Sequence, residues 1–558
     1  MGRKIRYGLA VLLAVGLTAV FAGAERSEDS DFRLGRNMEI LMNLFRDVNL
    51  FYVDSVSPDR LLEDAAAGMT GKLDPYTEYI PEEEMDDFEI MTTGKYGGIG
   101  SLIRKKGDWV VIAQPYKGFP ADRAGLKIGD KIVEIEGQDA RGFDPARVSA
   151  LLKGDPGTTV RLKVERFATG KVEPVSIRRE RIVISGVPYH GFVADSIGYI
   201  QHSDFTEDCS TDLRRALAEL RSSGRLKGLI LDLRGNGGGI LQEAVKILSL
   251  FVPKGTEVVS MRGKFEQLDA TFKTEGEPVD TELPIVVLTD RGSASAAEIV
   301  SGALQDLDRA VLLGQRTFGK GLVQSTRPLG YNSYLKVTTA KYYIPTGRCI
   351  QAIDYAHRNE DGSVGYVPDS LIREFRTRAG RKVYDGGGIM PDVRTEPRYV
   401  SRFAMILYGK GYIEDFVDGY VKRHPEPVDV ERFALSDADY ADFTEFMKDK
   451  DVEFRSESKL ALAQLREKAK QERYLDRIGP QLDEIEKGLR DDKESNLKLY
   501  RKELSQIIED EIILRSHYAQ GVTRHKLLSD EEVKQAVELL GDTARYRNIL
   551  SSQDTARK

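Results

Sequence analysis

Apolar and polar positions divide the chain into stretches of different period. Between Phe32 and about Met91 the pattern is helical, and Met38, Leu41, Met42, Leu44, Phe45 and Val48 form an apolar face wider than a surface helix needs. A second helix is predicted over 58–72, because Ser57 precedes it, proline occupies its first position and Leu73-Asp74-Pro75-Tyr76-Thr77 ends it. From Thr92 to about Arg179 the pattern changes to glycines and short strands, predicted at 109–113, 131–135 and 159–166, with one helix over 144–152. After Val187 strand and helix alternate: a strand at 197–200, a helix at 210–222, a strand at 228–233 and a helix at 241–251. Further strands fall at 285–289, 310–313 and 334–344. Such alternation predicts crossover units around a partly parallel sheet. Beyond about Pro397, Leu460, Leu465, Leu475, Leu482, Ile485 and Leu489 recur in a background of Lys, Glu and Arg, which reads as charged helix.

A chain of 558 residues is too long for one core, so two to four domains are expected. The net charge of -7 comes from mixed signs and leaves no basic footprint for nucleic acid. Residues 1–24 carry Arg3, Lys4 and Arg6, an apolar run over 9–21, and Ala22-Gly23-Ala24, the three regions of a secretory signal. A single anchoring helix is the alternative, but the run is short for a bilayer span and no cysteine stands at the cut to carry a lipid. Cys209 and Cys349 make no disulfide framework, although an exported compartment permits one bridge. With no metal-ligand spacing and six scattered histidines, neither a metal nor any other cofactor is expected.

The chemistry gathers between Leu283 and Arg327. After the apolar run Ile285-Val286-Val287-Leu288-Thr289, Ser293-Ala294-Ser295-Ala296-Ala297-Glu298 leads into Ile299, Val300, Ala303, Leu304 and Leu307 at helical spacing. The serines therefore fall on a strand-to-helix turn, beside unpaired backbone N–H groups at the positive end of the helix dipole. Ser295 followed three residues later by Glu298 is also the pattern of a capping box, and capping alone would account for it. Further on, Lys320 sits between Gly319 and Gly321 in Thr317-Phe318-Gly319-Lys320-Gly321-Leu322-Val323-Gln324. Burial among Phe318, Leu322 and Val323 would desolvate its amine and lower its pKa toward the range of a base. Gln324, four positions on, shares a face with Lys320 whether the segment is strand or helix. A serine at a helix start and a desolvated lysine together are the parts of a Ser-Lys hydrolase.

These motifs resemble the carboxyl-terminal processing peptidases, the S41 family of tail-specific serine proteases with an embedded PDZ domain. The resemblance runs from about Phe32 to Asp392 and implies Ser295 as nucleophile, Lys320 as general base and Gln324 as the residue orienting the lysine. Ala297 stands where the family more often has another serine. Asp232-Leu233-Arg234-Gly235-Asn236-Gly237-Gly238-Gly239-Ile240 is rich in glycine, but its spacing fits neither a dinucleotide fingerprint nor a phosphate loop. It resembles the family turn that supplies an oxyanion-hole N–H, with Gly237 where proline is usual. That carry-over points to Gly238 or Gly239, with Ala296 N–H as second donor. Tyr96-Gly97-Gly98-Ile99-Gly100, taken with Ala124-Gly125-Leu126-Lys127-Ile128-Gly129-Asp130, is similar to a PDZ domain whose glycine-rich loop offers N–H groups to a peptide's terminal carboxylate.

The expected architecture is multidomain α/β: a mixed α/β protease core over 180–396 with a PDZ domain inserted at 92–179, after a signal (1–24) and an N-terminal helical segment (25–91). A charged helical region at 397–558 follows, which the family core does not need. The resemblance implies an exported endopeptidase, periplasmic or on the outer face of the inner membrane, that captures proteins with accessible apolar C-termini. The C-terminal region reads as a solvated helical domain or as a dimer or adaptor surface, and the N-terminal helices as a packing arm or as an exchange between subunits of a homodimer. Two rivals stand beside this reading: a catalytically silent PDZ scaffold on the same fold, and a Ser-His hydrolase using His190 or His202.

Overall fold

The computed structural model describes residues 28–551 apart from 360, 398, 455, 490 and 491. The expected signal at 1–24 lies outside the described residues, and among these no helix is long and apolar enough to cross a membrane. The chain divides into two compact units, one formed by residues up to Glu83 with Gln324–Thr338, the other by Glu84–Val323 with Thr339–Lys558.

The first unit holds helices α1 (Glu28–Phe51) and α2 (Pro58–Thr70) and strand β1 (Glu78–Ile80). Helix α2 begins as its sequence predicts, with Ser57 as N-cap accepting from Arg60 N–H and Pro58 at the first position. Strand β1 pairs antiparallel with Tyr334, Leu335 and Lys336. The apolar face of α1 is largely uncovered, since Met38, Leu41, Met42 and Leu44 are all exposed.

In the second unit a six-stranded antiparallel sheet comes first, with five strands in the order β3 (Ser101–Lys106), β4 (Trp109–Pro115), β5 (Lys131–Ile135), β6 (Thr159–Glu165) and β7 (Val172–Arg178) and the short strand Gln138–Asp139 paired to β5. Helix α3 (Pro145–Leu152), N-capped by Asp144, closes its core with Val148 and Leu152. Two details differ from the sequence reading. The strand at 159–166 is not the last of the sheet, because β7 continues it. In addition, Tyr96, Gly97 and Gly98 do not form an open loop: Lys95–Gly98 is itself a strand, β2, paired with β8 (Glu180–Val183).

The region after residue 180 is built on a six-stranded sheet in chain order: β9 (Tyr189–Ala194), β10 (Ile197–Gln201), β11 (Gly228–Asp232), β12 (Ile285–Thr289), β13 (Val311–Gly314) and β14 (Val393–Arg394). All neighbours are parallel except β9 with β10. Its strands are unbroken apolar runs because side chains alternate between two buried faces. Ile200, Leu229, Leu231, Ile285, Val287 and Leu312 share a core cluster with side chains of helices α4 (Cys209–Ser222), α5 (Leu241–Leu248) and α6 (Ala296–Asp306). Their alternates Tyr199, Ile230, Val286, Leu288, Val311 and Leu313 belong to a second cluster.

That second cluster overturns one expectation. Its other members, Val533, Ala536, Leu539, Leu540, Tyr546 and Ile549, come from α9 (Glu531–Gly541) and α10 (Thr543–Ser551), at the far end of the charged helical region. The tail is therefore not an appendage to a complete core, because it supplies the sheet's second helical layer. The Tyr546 hydroxyl also donates to Ile285 O and accepts from Ile285 N–H, each at 2.9 Å. The rest of the region has its own core, built from residues such as Phe403, Phe416, Phe443, Leu504 and Ile508. It includes α7 (Tyr412–Arg423) and the long α8 (Arg501–Ser529), which is kinked at Tyr518.

Cys209 and Cys349 are both free thiols. Leu539→Ala should lower the stability of the core by about 2–5 kcal/mol, as truncating a buried leucine does. Urea unfolding followed through the core would detect this as an earlier midpoint, and an unmoved midpoint would show that α9 is dispensable to the sheet.

Candidate active site

The strand β12 ends at Thr289, and the chain turns through Asp290 to Ser295 before entering α6. Ser295 takes φ 55° and ψ −115°, a left-handed conformation that costs a non-glycine residue on the order of 1–3 kcal/mol. A serine strained between a strand and a helix has the form of a nucleophile elbow. Ser293 is the structural member of the pair: it is fully buried, and its hydroxyl donates to Leu233 O at 2.8 Å. Ser295 N–H donates to Glu298 Oε2 at 3.0 Å, which is the carboxylate half of the capping box read from the sequence.

Glu298 does more than cap. Its side chain is wholly buried on α6, and it also accepts the Thr317 hydroxyl, Gly319 N–H at 2.8 Å and Lys320 N–H at 2.8 Å. Lys320 N–H and Ser295 N–H share the single oxygen Oε2, so the residues carrying the hydroxyl and the amine hang from one carboxylate. Burial pushes the Glu298 pKa up to about 7, against the lowering pull of these donors. The sequence offered Glu298 only as a cap, because its other partners lie in a segment about twenty positions away with no local pattern to join them.

Around Lys320 the backbone is pressed close. Gly319 has φ 87°, and a Cβ there would lie 2.3 Å from the Ala352 Cβ, so the glycine beside the lysine is required by space. Lys320 is half-buried, with Leu322 and Val323 each 7% exposed, but Phe318 is 44% exposed. The expected desolvation by Phe318 is thus absent, because Phe318 N–H is held by Ser293 O while its ring is left to solvent. Gln324 belongs to the first unit, where its amide donates to Thr338 Oγ1 at 3.2 Å.

The glycine-rich turn after β11 is stitched to the Ser295 turn. Gly235 N–H donates to Asp290 Oδ1 at 2.9 Å, and Ala294 N–H donates to Asn236 O at 2.9 Å. A Cβ on Gly238 would stand 2.7 Å from Ser295 Cβ and 2.9 Å from Ala296 N, so only glycine fits against the serine there. Gly238 N–H is taken up by Asn236 Oδ1 at 2.8 Å. The bridge to Phe205 uses Gly238 O and Ile240 N–H, not Gly239 N–H. Of the two glycines named from sequence, Gly238 thus has its N–H taken up by a side chain, and Ala296 is the first residue of α6.

Arg234, at the root of this turn, carries the site's densest electrostatics. Asp232 Oδ1 accepts its backbone N–H at 3.0 Å and its Nε at 2.9 Å, and Asp232 Oδ2 also takes the Tyr199 hydroxyl at 2.7 Å. The guanidinium reaches Asp530 at 2.9 Å and Glu532 at 2.7 Å as well. Burial opposes its charge, and the Asp232 and Asp530 carboxylates outweigh that, holding its pKa above the ordinary arginine value.

Neither histidine is joined to Ser295 by a hydrogen bond. His190 is 2.8 Å from Glu219 Oε2. His202 is buried edge-on against Phe205 with both ring nitrogens lacking a hydrogen-bond partner, and burial lowers its pKa to about 4.

In the antiparallel domain, Tyr96 and Gly97 line a pocket of about 490 Å³ with Lys95, Lys153 and Arg181. Burial raises the pKa of the Tyr96 phenol above its ordinary value. Ile99 and Gly100 lie beyond the β2–β8 ladder, and their carbonyls accept from Ala121 and Tyr116 N–H.

Known proteins match these same segments. Residues 196–357, which contain Gly239, Ser295 and Lys320, match peptidase family S41. Residues 111–166 match a PDZ domain, and 403–540 match the C-terminal helical domain of a probable PDZ-protease. A carboxy-terminal-processing protease of Bartonella bacilliformis is 37% identical over 335 residues, covering 60% of this chain and 74% of the relative. A probable CtpA-like serine protease of Staphylococcus aureus is 36% identical over 317 residues, 56% of this chain and 62% of that one. Among solved structures, the photosystem II D1 C-terminal processing protease aligns over 64% of this chain and 87% of its own at 26% identity, with a TM-score of 0.34. From the extent of the Bartonella match and the family segment that spans the Ser295 and Lys320 turns, the chain belongs to peptidase family S41 as a serine peptidase of the carboxy-terminal-processing group.

Proposed function

We propose that this chain is an exported endopeptidase that holds the C-terminus of a protein in its PDZ domain and cleaves nearby with a Ser295–Lys320 dyad. The observation that carries the reading is the shared carboxylate oxygen, Glu298 Oε2, which ties the backbones of the two residues to one point. In this mechanism the neutral Lys320 amine takes the Ser295 proton as Oγ attacks the peptide carbonyl, and Gly239 and Ala296 N–H receive the oxyanion. The resulting ammonium returns its proton to the leaving amine, and water then hydrolyses the acyl-serine by the same route. Gln324 is assigned as the orienting residue on the family motif. The Ser-His rival loses ground because His190 is engaged by Glu219 and His202 is walled in beside Phe205. The silent-scaffold rival loses ground because a strained Ser295 and a lysine on one buried carboxylate serve no packing purpose.

For the substrate, Lys153 and Arg181 beside Tyr96 and Gly97, in a pocket that also holds Glu89 and Asp155, support capture of a terminal carboxylate by the N–H groups toward Gly98, Ile99 and Gly100, while Lys95 is already paired with Glu207 and Asp208. Export is read from the sequence of residues 1–24, which supports a location in the periplasm or on the outer face of the inner membrane. The uncovered apolar face of α1, about 36 Å long for its 24 residues, is assigned to a second copy of the chain.

Ser295→Ala should fold and lose cleavage by on the order of 10⁴- to 10⁶-fold, with Lys320→Arg and Lys320→Ala about equally inactive, since arginine cannot give up its proton. Activity should rise with pH through about 7, because Glu298 regains its full acceptor set on deprotonation. Stability takes the opposite sign. A carboxyl whose folded pKa is raised from 4.5 to about 7 loses stabilisation as pH rises across that window. Glu298→Gln should therefore lower kcat and remove this part of both profiles. A Lys320→Arg enzyme that cleaves well while His190→Ala or His202→Ala does not would overturn the dyad.

Amidating the C-terminus of a peptide substrate should raise KM at least several-fold with little change in kcat. Equal KM for the acid and the amide would refute carboxylate capture. Met38→Glu with Met42→Glu should convert a dimer to a monomer in sedimentation velocity, and a wild-type monomer at micromolar concentration would exclude the α1 interface.

A further inference from the structure

The C-terminal helical region reaches the active site through charge. Asp530 is the N-cap of α9, its Oδ1 accepting Glu532 and Val533 N–H, while its Oδ2 meets the Arg234 guanidinium. Glu532 divides its carboxylate in the same way: Oε2 binds Arg234, and Oε1 accepts the Thr395 hydroxyl at the end of the sheet. Arg234 is thus held by three carboxylates, Asp232 from its own strand and two from the helical region. All three pairs are largely sheltered, with no side chain in them more than 19% exposed, so solvent screens them little. Arg234 immediately precedes Gly235, and three residues after that glycine the chain packs Gly238 against Ser295, with Gly239 next in sequence.

We propose that Asp530 and Glu532 are positioning residues for the oxyanion turn, acting through Arg234. Asp232 alone could neutralise the guanidinium, because it already binds Nε and Nη2. The two carboxylates of the helical region do something Asp232 cannot: they hold the outer end of the side chain, so that Arg234 spans between β11 and α9 and cannot swing with the glycine turn. A turn of Gly235, Gly237, Gly238 and Gly239 has little stiffness of its own, and a displacement of an oxyanion donor by about 1 Å is enough to cost a hydrolase heavily. This inference rests on the assignment of Gly239 and Ala296 N–H as the oxyanion donors.

The test is Asp530→Asn with Glu532→Gln in the full chain. Asparagine remains a good N-cap and glutamine can still accept from Thr395, so the helix start is kept while both charges go. On a tailed peptide kcat should fall roughly 10- to 100-fold with KM within about twofold, and a peptide aldehyde, whose adduct carries the same oxyanion, should lose affinity by the same factor. Unchanged kcat, or a loss confined to KM, overturns the proposal, as does aldehyde affinity that stays at the wild-type level while kcat falls. Should the double variant fail to fold, Glu532→Gln alone leaves the Asp530 cap intact and is judged by the same three readouts. Failure of the underlying reading looks different, since Ser295→Ala would then still cleave.

Discussion

A carboxylate cannot be buried alone, because removing its hydration without replacement costs several kcal/mol. Glu298 is buried and is satisfied by four donors drawn from two places: the turn before α6 and the segment from Thr317 to Lys320. The need to keep all four in place fixes the spacing of these two segments more firmly than packing among small residues could. The strain at Ser295 persists for the same reason: its N–H is one of the four, and relaxing its φ would leave an acceptor short. Asn236 plays the matching part on the other side, with its amide on His202 O, its carbonyl side-chain oxygen on Gly238 N–H and its backbone oxygen on Ala294 N–H.

What was legible in the sequence was whatever depends on short spacing. The strands at 197–200, 228–233 and 285–289 appear as apolar runs because both faces of the sheet are buried, and the helix after Ser295 appears through its stripe and its cap. The elements that escaped depend on partners far along the chain. Glu298 looked like a cap because its local partner is real, and nothing in the residues between 298 and 320 signals the rest. Phe318 looked like a core residue because it is apolar, yet its backbone bond to Ser293 decides its position and its ring is left outside. Tyr96 to Gly98 looked like an open loop, since the strand that pairs with it, Glu180–Val183, follows the whole intervening sheet. The tail looked self-sufficient because its charged majority hides the short apolar stripe of Val533, Ala536, Leu539 and Leu540.

The helical region meets the PDZ domain too. Arg104 and Lys106 on β3 pair with Glu414, Asp415 and Asp418 of α7, and Arg515 of α8 joins Asp418. At the kink in α8, the Tyr518 hydroxyl donates to Asp122 Oδ1 at 3.1 Å. The same region therefore touches the PDZ domain at one end and Arg234 at the other, and the two contacts differ in kind. The first is a set of ion pairs on a partly exposed surface, which salt weakens; the second is sheltered and tied to a hydrophobic layer.

The placing of α9 and α10 bears on how the chain is made. The strands they cover are synthesised hundreds of residues earlier, and a chain that emerges from its amino end leaves one face of a parallel sheet bare for the whole of that interval. Ile230, Val286, Leu288, Val311 and Leu313 then form a sticky surface with no cover of their own, and Arg234 faces solvent with one counter-ion in place of three. Transiently exposed apolar surface of that kind favours aggregation. The chain at that stage also lacks two of the three carboxylates that hold Arg234 at the root of the glycine turn.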